Sequence, residues 1–130
     1  MRVKRLQHVS TTYPTGREEE VRAFYGGLLG LREKEQPEAL ASSRVVWYEA
    51  GEGEYELHFL PEDSRAREGT ARHFCLEVDE LDDFRRRLEE AGHRTRDATP
   101  IPGRPRFFCS DPFGNPVELT TIERDYRERA

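Results

Sequence analysis

The amino-acid sequence predicts an α+β fold built from two copies of a β-α-β-β-β module. The first observation behind this prediction is an internal repeat: His8 and His73 each open an apolar-alternating segment, and Glu56 and Glu118 each lie in a later strand-like run. The second is that a helical pattern and further strand-like runs separate each histidine from its glutamate. A repeat that returns both ligand types at matched places predicts one metal site built from two halves.

The first module is predicted at approximately residues 5–60. Thr15 and Glu18 have the spacing of a capping box, and the helix after them carries an apolar stripe that ends at Gly30. The glycine-containing segment 50–53 is typical of a hairpin. The sequence predicts strands at 6–12, 31–36, 44–49 and 54–60 and a loop at 37–43, with the charged strand 31–36 at an edge of the sheet.

Residues 61–70 are charged and aperiodic, so we predict a linker there, followed by a second module at approximately 71–122 and a charged tail at 123–130. Asp79 is expected to cap the second helix, which Gly92 ends. That helix has an apolar stripe at Leu81, Phe84, Leu88 and Ala91. The strands of this module are predicted at 72–78, 93–97, 106–110 and 116–122, with a loop at 98–103 and a turn at 111–115.

Composition excludes several functional classes. The chain of 130 residues is long enough for a single domain with a real core. Its net charge of −5, with arginines interleaved among glutamates, argues against nucleic-acid binding. The chain shows neither an apolar run of membrane-spanning length nor a signal peptide, so we expect a cytoplasmic protein. Cys75 and Cys109 are interpreted as two small buried residues rather than a disulfide.

Strand alternation gathers polar side chains on the faces that the helices do not cover. Each of these residues, taken alone, has the alternative of being an ordinary solvent-facing side chain. Their joint pattern favours a site, because the two sheets would form a cup lined by those faces if they curled toward each other. Imidazole and carboxylate suit Zn²⁺, Ni²⁺, Fe²⁺ or Mn²⁺. The residues are His8, Glu56, His58, His73 and Glu118.

The segments 8–31, 54–59, 73–92 and 107–121 resemble the vicinal oxygen chelate superfamily, which includes glyoxalase I, bleomycin-resistance and fosfomycin-resistance proteins and extradiol dioxygenases. The phrases closest to its recurrent ones are RAFYGGLLGL at 22–31 and DPFGNPVEL at 111–119. The resemblance implies paired βαβββ modules that form an eight-stranded open cup, with a divalent metal ion inside it. It also implies that two neighbouring substrate oxygens bind that ion.

The resemblance assigns roles to the individual polar residues. It implies metal ligation by His8, His73 and Glu118, with Glu56 as the fourth ligand of glyoxalase I-like members. Glu118 or Glu56 would remove the proton next to a substrate carbonyl. His58 has several open roles: substrate binding, acid or base catalysis, competition with Glu56 for the metal, or structure.

We therefore expect a metal-dependent enzyme acting on a small substrate with vicinal oxygens, with an isomerase or lyase favoured over a dioxygenase. The first alternative is a metal-free protein that binds or sequesters a small molecule, which an aromatic lining by Trp47, Phe107 and Phe108 would favour. Those three rings are also typical core residues. The second alternative is a scaffold that mediates assembly. A homodimer is expected because cups in this family are often completed by two chains.

Overall fold

Two successive parts of the chain fold with the same order of elements. The computed structural model describes residues 1–63 and 70–128. The chain divides into unit 1, Met1–Arg65, and unit 2, Ala66–Ala130. Each unit has one four-stranded mixed sheet and one main helix in the order β-α-β-β-β, which confirms the predicted α+β class with two modules.

Unit 1 arranges its strands in the order β1-β4-β3-β2, with β1 parallel to β4 and the other pairs antiparallel. Its strands are β1 (His8–Tyr13), β2 (Glu33–Lys34), β3 (Val46–Glu49) and β4 (Glu56–Pro61). The short charged strand β2 lies at an edge, as predicted. Residues 37–43, predicted as a loop, instead form a 3₁₀-helix at Glu38–Ser43 that begins after Pro37.

The main helix of unit 1 changes its hydrogen-bond pattern along its length. It is α-helical over Glu18–Val21 (α1) and continues as a π-helix over Arg22–Leu28. The amide of Leu29 donates to the carbonyl of Phe24 at 3.0 Å, an i→i+5 bond that marks the wider turn. Gly30 follows with φ +75°, and this left-handed residue ends the helix as predicted.

Unit 2 repeats the topology, with strand order β5-β8-β7-β6 and β5 parallel to β8. Its elements are β5 (Phe74–Glu77), α2 (Leu81–Glu90), β6 (Thr95–Asp97), β7 (Arg106–Ser110) and β8 (Pro116–Thr120). The predicted turn between β7 and β8 is held by Asp111, whose Oδ1 accepts the amides of Phe113 at 2.9 Å and Asn115 at 2.8 Å.

Both predicted helix caps are wrong. Within the described residues, no side chain forms a capping hydrogen bond at the start of α1 or α2. The residue before α1 is Arg17. Thr15 lies two positions further back, where its amide donates to Asp63 Oδ1 at 3.0 Å. Glu80, rather than Asp79, precedes α2, and its φ of +44° sets the start of that helix.

Each sheet buries one face against its own helix. In unit 1 the rings of Tyr25 and Phe59 lie 4.3 Å apart between helix and sheet, and both side chains are fully buried. In unit 2, Leu88 is the buried residue of α2, whereas Leu81 and Phe84 of the predicted stripe are half-buried and Ala91 is exposed. Fully burying such a side chain contributes about 1.5–3 kcal/mol. The opposite faces of the two sheets are left for polar residues.

The strand register changes the residue equivalence that the sequence predicts. Ser10, two residues after His8, is the register partner of His58, and Cys75, two residues after His73, is the partner of Glu118. The counterpart of Glu118 in unit 1 is therefore His58. The prediction that Glu56 and Glu118 occupy matched places is wrong by two residues, because sequence spacing alone does not fix which residues pair in a parallel ladder.

The segments outside the modules are only partly described. The predicted linker 61–70 starts at Pro61, the last residue of β4, and its residues 64–69 lie outside the described part of the chain. The predicted tail is described as far as residue 128, and it contains a turn in which the amide of Glu128 donates to the carbonyl of Asp125 at 3.0 Å.

In residues 1–63 and 70–128, no helix is long and apolar enough to cross a membrane.

Candidate functional site

Three aromatic rings stack on the polar face of unit 1. The ring of His58 lies between Trp47, at 3.8 Å with an interplanar angle of 5°, and His8, at 4.1 Å and 19°. The register explains the contact with Trp47, which pairs with His58 between β3 and β4. His8 reaches His58 diagonally, since the β1 residue that pairs with His58 is Ser10 and His8 pairs with Glu56. The stack brings the predicted site residue His8 together with His58 and adds an indole to them.

Glu56 lies beside this stack and is buried, with 6% of the residue exposed. Its Oε1 lies 2.8 Å from His58 Nε2, and Lys34 donates to its Oε2. Two hydrogen bonds lower the pKa of Glu56 from 4.5 to about 2, and the bond from Lys34 has a larger effect than the bond from His58. A carboxylate with so low a pKa is a weak base, so these contacts favour a binding or orienting role over proton abstraction.

His8 is positioned by its neighbour in the chain. Its Nδ1 lies 2.8 Å from Gln7 Oε1, an amide oxygen that can only accept a hydrogen bond. The proton of a neutral His8 ring is therefore on Nδ1, and the lone pair is on Nε2. The residue as a whole is exposed.

In unit 2 the structure brings His73 and Glu118 together. His73 Nδ1 lies 2.9 Å from the carbonyl oxygen of Ala71, which fixes the proton of the neutral ring on Nδ1. Nε2 then directs its lone pair at Glu118 Oε1, 3.1 Å away. Two electron-pair donors that face each other at this distance require either a proton or a cation between them.

This pair of donors fits a divalent metal ion. An imidazole nitrogen and a carboxylate oxygen, each about 2.1 Å from one ion, lie about 3–3.4 Å apart for angles between 90° and the tetrahedral angle. His73 Nε2 and Glu118 Oε1 lie 3.1 Å apart and belong to the ligand types that Zn²⁺, Ni²⁺, Fe²⁺ and Mn²⁺ accept. Among the described residues, no group of three or more His, Cys, Asp or Glu side chains forms a complete site. Unit 2 by itself brings two such side chains together, His73 and Glu118.

Arg106 holds the second oxygen of Glu118. Its NH1 donates to Glu118 Oε2 at 3.2 Å, and its NH2 donates to the carbonyl of Thr99 at 2.8 Å. Arg106 Nε is buried and has no hydrogen-bond partner among the described residues. The guanidinium therefore fixes the Glu118 carboxylate and directs its other oxygen, Oε1, toward His73.

Phe108 is the aromatic neighbour of this pair. Its ring meets the ring of His73 edge to face at 4.9 Å, and it pairs in register with Glu118. Arg96, its register partner on β6, places a guanidinium 4.2 Å from the ring centre. Phe108 in unit 2 therefore corresponds in register to Trp47 in unit 1. Phe107 points the other way and is a core residue, 1% exposed.

Cys75 lies next to Glu118 on the polar face, which the prediction of two buried cysteines did not anticipate. Cys109 is buried, as predicted, whereas Cys75 is exposed. The pKa of the Cys75 thiol is nevertheless raised from 9.0 to about 12, first by desolvation of the thiol and then by the Glu118 carboxylate. Cys75 is thus accessible to solvent as a residue, but its sulfur lies close to the negative charge of Glu118.

Sequence reasoning did not find Lys34 or Arg106, the two cations that hold Glu56 and Glu118. Both act on carboxylates of other strands, so no local spacing in the sequence identifies them. Trp47 and Phe108, by contrast, were named from the sequence as possible aromatic lining, and both alternate with core residues along their strands.

A family profile matches most of the chain. The profile of the Glyoxalase/Bleomycin resistance protein/Dioxygenase superfamily matches residues 5–119. No match was found among curated proteins.

Solved structures of the same fold cover nearly the whole chain. A glyoxalase family protein from Bacillus anthracis is 33% identical, with a TM-score of 0.82 over 94% of this chain and 98% of that one. The fosfomycin resistance protein FosX from Listeria monocytogenes is 15% identical, with a TM-score of 0.76 over 98% and 100%. TnmS3, an antibiotic binding protein from Streptomyces sp. CB03234, is 23% identical, with a TM-score of 0.71 over 94% and 98%. This chain belongs to the Glyoxalase/Bleomycin resistance protein/Dioxygenase superfamily.

Proposed function

We propose that this protein is a divalent-metal-dependent enzyme acting on a small substrate that binds the metal through two neighbouring oxygens. The observation that carries the proposal is the pair His73 Nε2 and Glu118 Oε1, two electron-pair donors 3.1 Å apart. An isomerase or lyase is favoured over a dioxygenase. The superfamily resemblance supports this class of chemistry, and the substrate itself stays open.

The proposed metal ligands are given for each unit by itself. Unit 2 contributes His73 and Glu118. Unit 1 contributes His8 and a residue of β4, for which the resemblance favours Glu56. The register favours His58 instead, since His58 is the counterpart of Glu118 and Glu56 is held by Lys34. We therefore propose His8, His58, His73 and Glu118 as ligands, with Glu56 behind His58. Because the lone pairs of stacked imidazoles lie in nearly parallel planes, His8 must leave its stack on His58 for both rings to bind one ion.

The surrounding residues have separate roles in the proposed chemistry. A bound divalent ion supplies a Lewis acid that stabilises negative charge developing on substrate oxygens. Arg106 holds Glu118 Oε2, so Oε1 is the oxygen able to bind the ion or accept a substrate proton. Trp47 and Phe108 provide flat apolar surfaces beside the ligands, where a substrate is shielded from water.

Elemental analysis of the purified protein tests the metal proposal. We expect about one divalent ion per chain, and its loss in H73A and E118A with the circular dichroism spectrum retained. H93A is the matched control, because His93 is the one histidine outside the proposed site. A native protein that stays metal-free after incubation with Zn²⁺, Ni²⁺, Fe²⁺ and Mn²⁺ in turn would refute the proposal.

The reaction class is tested separately from metal binding. Exchange of deuterium from solvent into the carbon next to a substrate carbonyl would support the isomerase or lyase. Consumption of dissolved oxygen with a vicinal diol of an aromatic ring would support the dioxygenase instead.

A metal-free binding or drug-sequestering protein is the second candidate function. The similarity to an antibiotic binding protein and the Trp47–His58 stack, which offers an aromatic surface, favour it. Saturable quenching of Trp47 fluorescence by a planar aromatic compound in metal-free protein, with no metal bound after reconstitution, would support this candidate.

We also propose a cytoplasmic homodimer that binds neither nucleic acid nor membranes. The net charge of −5 supports the absence of nucleic-acid binding. Light scattering coupled to size-exclusion chromatography measures the mass directly, and a mass near 15.2 kDa would contradict the dimer.

A further inference from the structure

We propose that Lys34 and Glu56 form a positioning pair that fixes the orientation of the His58 ring, with Nε2–H donated to Glu56 and Nδ1 left as the nitrogen that binds a ligand. In this proposal Glu56 is a positioning residue and does not touch the ion. The functional consequence rests on the proposed metal dependence, but the orientation itself can be measured without metal.

The first step is the hydrogen bond between the two side chains. His58 Nε2 and Glu56 Oε1 are 2.8 Å apart, and their side chains are 9% and 5% exposed. Lys34 donates to the other oxygen, Oε2, so the carboxylate is paired with a cation and acts as an acceptor. The ring nitrogen that faces it must then be a donor. In a neutral ring this puts the lone pair on Nδ1.

The second step is the restriction of ring rotation. A half-turn of the imidazole about the Cβ–Cγ bond sweeps the ring out of its plane. The rings of Trp47 and His8 cover the two faces of His58 at 3.8 and 4.1 Å, which leaves no space for this movement. Rotation therefore requires the stack to open, and the hydrogen bond to Glu56 selects one of the two orientations.

The third step is the row of residues that places Lys34. Lys34 on β2 pairs with Trp47 on β3, and Trp47 pairs with His58 on β4, so the three lie in one row across the sheet. Glu56 precedes His58 by two residues and shares its face. The long Lys34 side chain thus reaches Glu56 from the edge strand, and its remaining contact is with the exposed Glu54 at 3.6 Å.

Among the described residues of unit 2, the equivalent row has no lysine–carboxylate pair. Its register partners are Arg96, Phe108 and Glu118, so Arg96 corresponds to Lys34. Arg96 lies over the Phe108 ring at 4.2 Å, and Glu56 has Pro116 as its counterpart. A carboxylate ligand such as Glu118 has two equivalent oxygens and no tautomer to select. An imidazole at this position has two different nitrogens, and the Lys34–Glu56 pair lies beside that imidazole.

Nuclear magnetic resonance of metal-free protein tests the orientation. Long-range ¹H–¹⁵N correlation spectra distinguish the two neutral tautomers of each histidine. We expect His58 to carry its proton on Nε2 in the wild type. We expect a mixture of tautomers in E56Q, because a carboxamide can donate as well as accept. A wild-type His58 protonated on Nδ1, or an E56Q spectrum with His58 unchanged, would overturn the proposal.

Metal titration gives the second readout. A hydrogen-bonded carboxylate behind a ligating histidine typically contributes 10–100-fold to affinity, so E56Q and K34M should bind Zn²⁺ about 10–100-fold more weakly. E54Q is the matched control, because Glu54 contacts Lys34 but has no contact with His58. It should retain wild-type affinity. Equal affinity in wild type, E54Q and E56Q would overturn the positioning role.

The two proposals fail in different ways. If wild-type His58 has the expected tautomer and the protein binds no metal, the proposed function fails while the orientation stands. If the protein binds one ion per chain and neither tautomer nor affinity responds to E56Q, the proposed function stands and the positioning role fails. Amide spectra of every variant establish that the fold is retained.

Discussion

Arg106 donates a hydrogen bond to Glu118 at 3.2 Å while its other terminal nitrogen is held by the carbonyl of Thr99 at 2.8 Å. Both partners of this ion pair are largely buried, with side-chain exposures of 17% and 11%. Breaking such a pair leaves an uncompensated charge in a poorly solvated place, which costs more than the pair itself contributes. Arg106 therefore links the stability of unit 2 to the orientation of a proposed metal ligand.

The first prediction concerns this pair. R106M should lower the free energy of unfolding by about 1–3 kcal/mol and weaken Zn²⁺ binding, because Glu118 loses the donor that fixes its second oxygen. Urea denaturation and metal titration measure the two effects. R86Q is the control, since Arg86 forms an exposed pair with Asp83 that contributes about 0–1 kcal/mol. Equal losses in R106M and R86Q would contradict the prediction.

The second prediction is a pH dependence of stability that arises from Glu56. Lys34 and His58 lower the pKa of Glu56 from 4.5 to about 2, so the folded state favours the ionised carboxylate. The resulting stabilisation is complete above pH 4.5 and is lost as the pH falls toward 2. E56Q cannot titrate. The difference in unfolding free energy between wild type and E56Q should therefore shrink between pH 4.5 and pH 2.

Urea denaturation at pH 7, 4.5, 3.5 and 2.5 measures this difference. At pH 7 the wild type should be more stable than E56Q by about 1–2 kcal/mol. E54Q serves as the control because Glu54 is exposed and pairs with the same lysine, Lys34, at 3.6 Å. A constant difference across this pH range would show that Glu56 has the same pKa in the folded and unfolded states.

The third prediction concerns the reactivity of the two thiols. Burial raises the pKa of Cys109 to about 12, and desolvation together with Glu118 raises that of Cys75 to about 12. Because the thiolate is the nucleophile, both thiols of the native protein should react with iodoacetamide at pH 8 at least about tenfold more slowly than a free cysteine.

The contribution of Glu118 to this effect can be isolated. In a C109A background, E118Q removes the neighbouring negative charge and should accelerate alkylation of Cys75. In a C75A background, E118Q should leave Cys109 unchanged, because the charge that acts on Cys109 is that of Asp111. Mass spectrometry follows both reactions. An unaltered Cys75 rate in E118Q would mean that desolvation alone sets its pKa.

The fourth prediction concerns the core of unit 2. Leu88 is fully buried, whereas Leu81, on the same helix, is half-buried. L88A should lower the unfolding free energy by about 2–5 kcal/mol because it removes buried methyl groups and leaves a cavity. L81A should cost less than half as much. Similar costs for the two variants in urea denaturation would contradict the observed packing of α2.

Much of the fold could be predicted from the sequence because local patterns encode it. Strand alternation placed His8, His58, His73 and Glu118 on the faces that the helices leave open, and Gly30 and Gly92 ended the helices as expected. The two predicted caps were wrong, since Arg17 and Glu80 precede the helices and no described side chain caps either one. The amide of Thr15 is bonded to Asp63, which lies at the far end of the module.

The details of the site could not be predicted in the same way. The register between β1 and β4 is set by residues far apart in sequence, and a shift of two residues keeps the same face, so alternation could not distinguish Glu56 from His58. The cations behind the carboxylates also come from other strands. Lys34 reaches Glu56 across β3, and that contact exists only once three strands are aligned.

The last prediction uses Trp47, the single tryptophan of the chain, as a reporter of the proposed ligand His58. The two rings are parallel and 3.8 Å apart, so a change of charge on the imidazole alters the environment of the indole directly. Adding Zn²⁺ to metal-free protein should therefore change the Trp47 emission in a saturable way, at one ion per chain. H58A should abolish this response, and H93A should retain it.

The same titration separates the two candidate ligands of β4. If His58 binds the ion, E56Q keeps the fluorescence response but requires about 10–100-fold more Zn²⁺ to reach it. If Glu56 binds the ion instead, E56Q loses metal while H58A still holds it, as elemental analysis of both variants would reveal. If the wild-type protein binds one ion without any change in Trp47 emission, His58 is excluded as a ligand. The His58 ring is in face-to-face contact with the indole, so a divalent ion bound to His58 must change that emission.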